Sequence, residues 1–209
     1  ITEFQKKKLI EAGYDKNKIT VIPNSIDAPC SYTPTSGEYI AYIGRLSYEK
    51  GYDLLVEVAR KHPEIKFRFA GAQREQKNTD IPSNVEFAGY LQKDKLLEFI
   101  QKARFIVIPS RCYEGFPMAI LEAACHGKPA IASNHGGFTE IIGQGENAIG
   151  KLFEPGNTDD LDKQIAELWN NQTLTEELGE KAFRKLKKHY DSEVVYKQWE
   201  TLFSKLKNS

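Results

Sequence analysis

A chain of 209 residues with 40% hydrophobic composition can bury a real core, and its size suits one large α/β domain better than two very small ones. Lys plus Arg and Asp plus Glu both total 29, so no global field draws the chain to nucleic acid or anionic lipid, and any anion site has to be local. The longest apolar runs, such as Phe105 to Pro109 and Met118 to Cys125, fall far short of the ~20 residues needed to cross a bilayer. Ile1 to Lys8 lack the apolar stretch and cleavage site of a signal peptide, so the start reads as internal to a longer protein. Cys30, Cys112 and Cys125 are odd in number and show no C-x-x-C spacing, which suggests neither a disulfide framework nor a zinc site. A reducing cytoplasm is the expected compartment, and Cys112 and Cys125 read as small buried hydrophobes without chemistry.

In chain order, Thr2 to Gly13 predicts a helix with Gly13 at its C-cap, followed by a short strand from Ile19 to Ile22 and a turn at Pro23-Asn24. Pro29, Pro34 and Gly37 break up the stretch from Asp27 to Glu38, which reads as an exposed linker. Five apolar segments then read as buried strands: Tyr39 to Gly44, Ile65 to Ala70, Val85 to Ala88, Phe105 to Pro109 and Ala130 to Ser133. Helical patterns lie between them. Tyr52 to Lys61 puts Leu54, Leu55, Val58 and Ala59 on one face, and Lys93 to Lys102 does the same with Leu96, Leu97 and Ile100. From about Thr158 the pattern is helical throughout, over Asp159 to Asn170, Thr175 to His189 and Ser192 to Leu206, the last with Val195, Trp199, Leu202 and Phe203 on one face. Alternating strands and helices predict an α/β, Rossmann-like doubly wound parallel sheet with C-terminal helices, whose ligands bind beyond the carboxyl ends of the strands.

Three loops at strand ends carry candidate chemistry. Gly44-Arg45-Leu46-Ser47-Tyr48-Glu49-Lys50-Gly51 sets two cations five residues apart between glycines, a pattern that reads either as a site for a diphosphate held without metal or as two solvated surface cations. Arg111-Cys112-Tyr113-Glu114-Gly115-Phe116-Pro117 leads into a helix, with Pro117 suited to the first helical position and Gly115 and Phe116 at a helix start, where anions bind. Glu114 and Glu122 then read either as acceptors for sugar and ribose hydroxyls, or as a helix-end acid and a solvated one. The third loop, Ser133-Asn134-His135-Gly136-Gly137, permits close backbone approach and sets His135 either toward the cleft or into a structural role. Gly143-Gln144-Gly145 lacks the third glycine of a dinucleotide fingerprint.

Taken in order, these loops resemble glycosyltransferase family 4, whose GT-B fold pairs two Rossmann-like domains across a cleft. Ile22-Pro23-Asn24-Ser25-Ile26-Asp27 is similar to the family's hinge, with Ser25 where glycine is usual. Gly44 to Gly51 is similar to its G-R-L-x-x-x-K-G loop, Glu114 through Glu122 to its E-x7-E element, and Gly136, Gly137 and Glu140 to its G-G-x-x-E. The resemblance implies that residues 1–24 are the tail of an N-terminal acceptor domain with the hinge, and that residues 25–209 form the donor-binding C-terminal half of a GT-B enzyme. It implies that Arg45 and Lys50 hold the donor diphosphate beside Gly44, Glu122 the ribose hydroxyls, and Glu114 with Gly115, Phe116 and Pro117 the transferred sugar. Tyr90 and Leu91 follow as contacts to the base, and Arg45, Lys50 and Glu114 as the groups closest to the chemistry.

The implied reaction is transfer of a hexosyl group from a nucleoside diphosphate sugar to an acceptor hydroxyl with retention, without metal or other cofactor. The isolated piece would bind donor without catalysing, while a glycan, lipid or other hydroxyl acceptor would bind the missing half. Association with the inner face of a membrane would come only through that half. A GT-B sugar-nucleotide epimerase and a noncatalytic nucleotide-sugar-binding module are the competing expectations.

Overall fold

The structure, a computed structural model, describes residues 1–29, 31, 32, 34, 36–72 and 80–207. Its architecture follows from strands that are apolar on both faces. In β1 (Tyr39–Ile43), Ile40 and Tyr42 point one way and Tyr39 and Ala41 the other, and all four are buried. β4 (Ala103–Ile108) repeats this, with Phe105 and Val107 opposed to Ile106 and Ile108. A strand that is apolar on both faces needs helices on both, which is the parallel α/β arrangement.

Large side chains collect on one face. There Tyr42, Phe67, Phe69, Phe105 and Phe153 pack beneath α2 (Tyr52–Lys61) and α6 (Thr158–Asn170). The opposite face carries Ala41, Ala70, Ala130 and Ala132, whose small side chains leave room for α3 (Asp94–Gln101), α4 (Met118–Ala124), α5 (Gly137–Ile142) and α7 (Gln172–His189). Asn157 caps α6 by accepting from the amides of Asp159 and Asp160, and Asn171 caps α7 by accepting from that of Leu174.

With β2 (Phe67–Ala70), β3 (Val85–Gly89), β5 (Ala130–Ser133) and β6 (Gly150–Phe153), the sheet has six strands in the order β3-β2-β1-β4-β5-β6, all parallel. The chain winds outward from β1 in one direction and from β4 in the other. The connections from those two strands therefore run to opposite sides, which makes the β1–β4 seam the switch point, where sheets of this kind hold a ligand crevice.

The expected helix at the start is α1 (Glu3–Glu11), followed by Gly13 at φ +94°. Two expectations change. Residues 19–22 form no strand, because nothing among the described residues runs alongside them. The nearest pairing is one parallel bridge further on, where Ile26 donates to Tyr190 O at 3.0 Å and accepts from Ser192 N at 3.1 Å. β6 is a sixth strand beyond the five expected, since Gly150-Lys151-Leu152-Phe153 is too short and too mixed to stand out in sequence.

The Asp27–Glu38 linker has no regular structure among its described residues, and Cys30 lies outside them. The last helix, α8 (Ser192–Lys207), buries Val195 but leaves Tyr196, Trp199, Phe203 and Leu206 exposed, with the Trp199 and Phe203 rings stacked at 5.8 Å. Among the described residues no helix is long and apolar enough to cross a membrane.

Candidate functional site

The loops after β1 and β4 are stitched together at the seam. Tyr42, at the end of β1, donates its hydroxyl to Arg45 O at 2.6 Å, and burial pushes its phenol well above the usual range, so it remains a donor. The chain then turns through a short 3-10 segment, Tyr48–Lys50, into Gly51 at φ +69°. A Cβ at position 51 would lie 1.8 Å from Pro109 O, so only glycine lets the turn press this closely on the β4 loop.

Three donors from that loop converge on Glu49 O: Arg111 N at 2.8 Å, Cys112 N at 3.3 Å and Ser110 Oγ at 3.3 Å. The Arg111 guanidinium grips both carboxylate oxygens of Asp53 at 2.7 and 2.8 Å, donates to Tyr48 O at 2.7 Å and lies 4.0 Å above the Tyr48 ring. A bidentate pair of this kind fixes orientation as well as adding energy.

This stitching carries Lys50 to Glu114, with Nζ to Oε1 at 2.7 Å and the side chains 19% and 21% exposed. The pair borders a cavity of about 130 Å³ shared with Tyr42, Gly44, Pro117 and Met118. Of the residues expected from sequence, the structure brings Gly44, Lys50, Glu114 and Pro117 around this one space. Arg45, next to Gly44 in sequence, is not among the residues that line it: its side chain is 43% exposed, with its guanidinium 3.4 Å from Glu49.

Gly115 and Phe116 continue the Glu114 loop inward, and the Phe116 ring meets Tyr190 edge-on at 5.7 Å. Pro117 has φ −77° and ψ 96°, outside the helical region, so α4 begins at Met118 and Pro117 is its cap residue rather than its first helical one. Glu122, on the second turn of α4, is partly buried, and its carboxyl makes no hydrogen bond among the described residues and is pushed above the ordinary range by that burial. A half-buried carboxylate without a donor is costly and is ready to accept one.

The glycine pair after β5 serves loop packing. Gly137 N donates to Glu114 O at 2.8 Å, and a Cβ on Gly137 would come 2.5 Å from Gly115 O. His135 is wedged between Tyr113 and Phe138 with ring centroids at 5.0 and 5.7 Å. Its Nε2 lies 3.0 Å from Ser110 O, which can only accept, so Nε2 carries the proton and the ring serves as a spacer between loops.

Tyr90, 69% exposed, and Leu91 stand beyond β3, two strands from the seam. Leu91 lines a separate concavity with Tyr39, Arg68 and Glu86. Cys125 is buried, and burial pushes its thiol up to about 11, while Cys112 Sγ lies 3.2 Å from Ser110 Oγ. Among the described residues no cluster of three His, Cys, Asp or Glu side chains is placed to hold a metal ion.

In sequence Arg111 reads only as one residue of a loop, and nothing marks Tyr42 or Asp53. Asp53 in the first turn of α2 and an arginine after β4 are ordinary surface residues until the fold sets them side by side.

Residues 31–185 match the family described as glycosyl transferases group 1. An uncharacterised glycosyltransferase of Methanocaldococcus jannaschii is 33% identical over 171 residues, covering 79% of this chain and 48% of the relative. Glycogen synthase of Mycobacterium tuberculosis is 33% identical over 148 residues, covering 63% of this chain and 36% of the relative. Among solved structures, HepE of Anabaena in complex with UDP superposes with a TM-score of 0.86 at 19% identity, over 98% of this chain and 62% of that one. A glycosyltransferase from Rickettsia africae gives 0.85 at 22% identity, over 100% and 63%. The chain thus spans about half the length, or less, of the curated relatives it matches. With a GT-B-type sheet, a crevice at its switch point and a family match over residues 31–185, the chain belongs to the group 1 glycosyl transferases.

Proposed function

We propose that the cavity above the β1–β4 seam receives the diphosphate of a nucleoside diphosphate sugar, and that residues 25–209 are the donor-binding half of a retaining hexosyltransferase. The observation that carries this is the position of Lys50. Its ammonium is held at the switch-point crevice beside the Gly44 backbone by a turn that only Gly51 permits. Arg45, next to Gly44 in sequence, supplies a second cation, Glu122 an unengaged acceptor for ribose hydroxyls, and Glu114 with Gly115 to Pro117 the surface for the sugar. Negative charge grows on the diphosphate as it leaves, and cations already in place stabilise it most in the transition state.

Retention rests on the family resemblance alone. Residues 1–24 are read as the end of an acceptor-binding domain and its hinge, in keeping with a family match that begins at residue 31. On this reading the chain by itself binds donor and transfers no sugar. Calorimetric titration with uridine, UDP and UDP-glucose, with and without chelator, tests the site. Tighter binding of UDP than of uridine, unaffected by chelator, is expected, whereas equal affinities or chelator-sensitive binding would contradict it. Incubating the parent protein with donor alone separates the epimerase, which would change the sugar, from the transferase, which would not.

A further inference from the structure

Helix α1 is held in an unusual way. None of its nine residues is fully buried, and Leu9 and Ile10 are exposed, so Phe4 is its one apolar side chain set against the domain. Its contacts concentrate in the first turn. Thr2, fully buried, caps it by accepting from Gln5 N at 3.3 Å, and Phe4 N donates to Glu140 Oε2 at 3.1 Å. The Phe4 ring lies 5.5 Å from that of Tyr113, and Gln5 Nε2 sits where a Cβ on Gly115 would come within 2.3 Å.

Two of these partners belong to the Glu114 loop and the third, Glu140, stands on the helix packed against it. Tyr113 and Gly115 flank Glu114 in sequence, and Glu140 lies on α5 three residues after Gly137, which donates to Glu114 O. Glu140 takes up an amide that helix geometry would leave without a partner, and its charge lies at the positive end of the helix dipole. Because no residue of α1 is fully buried, these first-turn contacts, the Phe4 ring on Tyr113 and the Glu140 hydrogen bond among them, decide where it rests.

We infer that Glu140 is a positioning residue: it latches the first turn of α1 onto the Glu114 loop and so fixes the end of the cavity where the transferred sugar is received. The inference rests on the donor-site reading for its ligand consequence but not for the latch itself. Glu140 is exposed, so its replacement does not threaten the core.

The test compares unmodified chain, Glu140→Ala and Glu140→Gln by hydrogen exchange and by titration with UDP and UDP-glucose as probes. In Glu140→Ala, exchange should rise about threefold or more in residues 3–8 and also in residues 112–117, since loss of a capping carboxylate is felt within the first turn and its contacts. Binding of UDP-glucose should weaken by about three- to fivefold with UDP unchanged, and Glu140→Gln should fall between, because its amide oxygen still accepts from Phe4 N. Faster exchange in α1 alone, with residues 112–117 unchanged, would reduce Glu140 to a helix cap and overturn the proposal. Equal weakening of UDP and UDP-glucose would also overturn it. If the unmodified chain binds neither probe, the donor-site reading fails, and the exchange at residues 112–117 alone decides the latch.

Discussion

Gly51 and Gly89 both end strand-loop segments at positive φ, +69° and +71°, yet a Cβ at Gly51 would meet Pro109 O at 1.8 Å, whereas one at Gly89 would meet nothing within 4 Å. Around Gly51 the loops are fixed by the three donors on Glu49 O and by the Arg111–Asp53 pair. Around Gly89 the neighbours Phe87 and Tyr90 are exposed. The seam is therefore built before any ligand arrives, while the β3 edge is open. A preformed seam suits a charged group that must be met by fixed partners, and an open edge suits a flat base that needs only a surface.

The strongest way to break this contrast is to put the same methyl group at both glycines. Gly51→Ala should destabilise the chain by about 2–4 kcal/mol through combined strain and overlap, and Gly89→Ala by about 1 kcal/mol through strain alone. Urea unfolding midpoints measure both, and equal losses would show that the seam is no tighter than the edge.

Ligand selectivity sharpens the contrast next. Lys50→Ala should weaken UDP by about ten- to a hundredfold while leaving uridine unchanged, since a charge-assisted contact contributes about 1.5–3 kcal/mol. Arg45→Ala should cost less, about two- to fivefold, because its guanidinium is largely in water beside Glu49. Tyr90→Ala should weaken uridine and UDP alike by about fivefold, as expected for a stacking surface. A Tyr90→Ala effect confined to UDP would move the base away from the β3 edge.

The smallest expected effect concerns Glu122. Burial raises its carboxyl above the unfolded value, so the folded chain keeps a proton that the unfolded chain gives up. Stability is therefore lost as pH rises from the ordinary value of 4.5 through the raised one. Glu122→Gln should make the protein slightly more stable at pH 7, with the difference closing below pH 4.5, and should weaken binding of both UDP and UDP-glucose. Thermal midpoints at the two pH values check this, and a variant that is less stable at pH 7 would mean that Glu122 has a partner in solution.

Much of this was readable from sequence because both faces of the central strands are buried. Runs such as Phe105 to Pro109 and Ala130 to Ser133 announce such strands directly, and the helices between them follow from Leu54, Leu55 and Val58 or Leu96 and Ile100. β6 escaped because Lys151 interrupts a four-residue strand at the sheet edge. The motif residues were visible as types in loops, but their pairing was not. Lys50 and Glu114 are 64 positions apart, and Arg111 and Asp53 are 58 apart, distances that only the doubly wound topology closes. The role of the glycine pair was half legible: close approach was expected at Gly136 and Gly137, but the partner is the Glu114 loop itself.

What Lys50 does when Glu114 is altered decides whether the seam cavity holds the diphosphate. The two pair at 2.7 Å, and a diphosphate taking up Lys50 has to enter beside the Glu114 carboxylate. Calorimetry with UDP and UDP-glucose on Lys50→Ala and Glu114→Gln separates their parts. Lys50→Ala should weaken both ligands, while Glu114→Gln should leave UDP as tight or tighter, by removing a like charge, and should lose most of any added affinity for UDP-glucose. If Glu114→Gln weakens UDP as strongly as Lys50→Ala does, the cavity at the β1–β4 seam is not where the diphosphate binds.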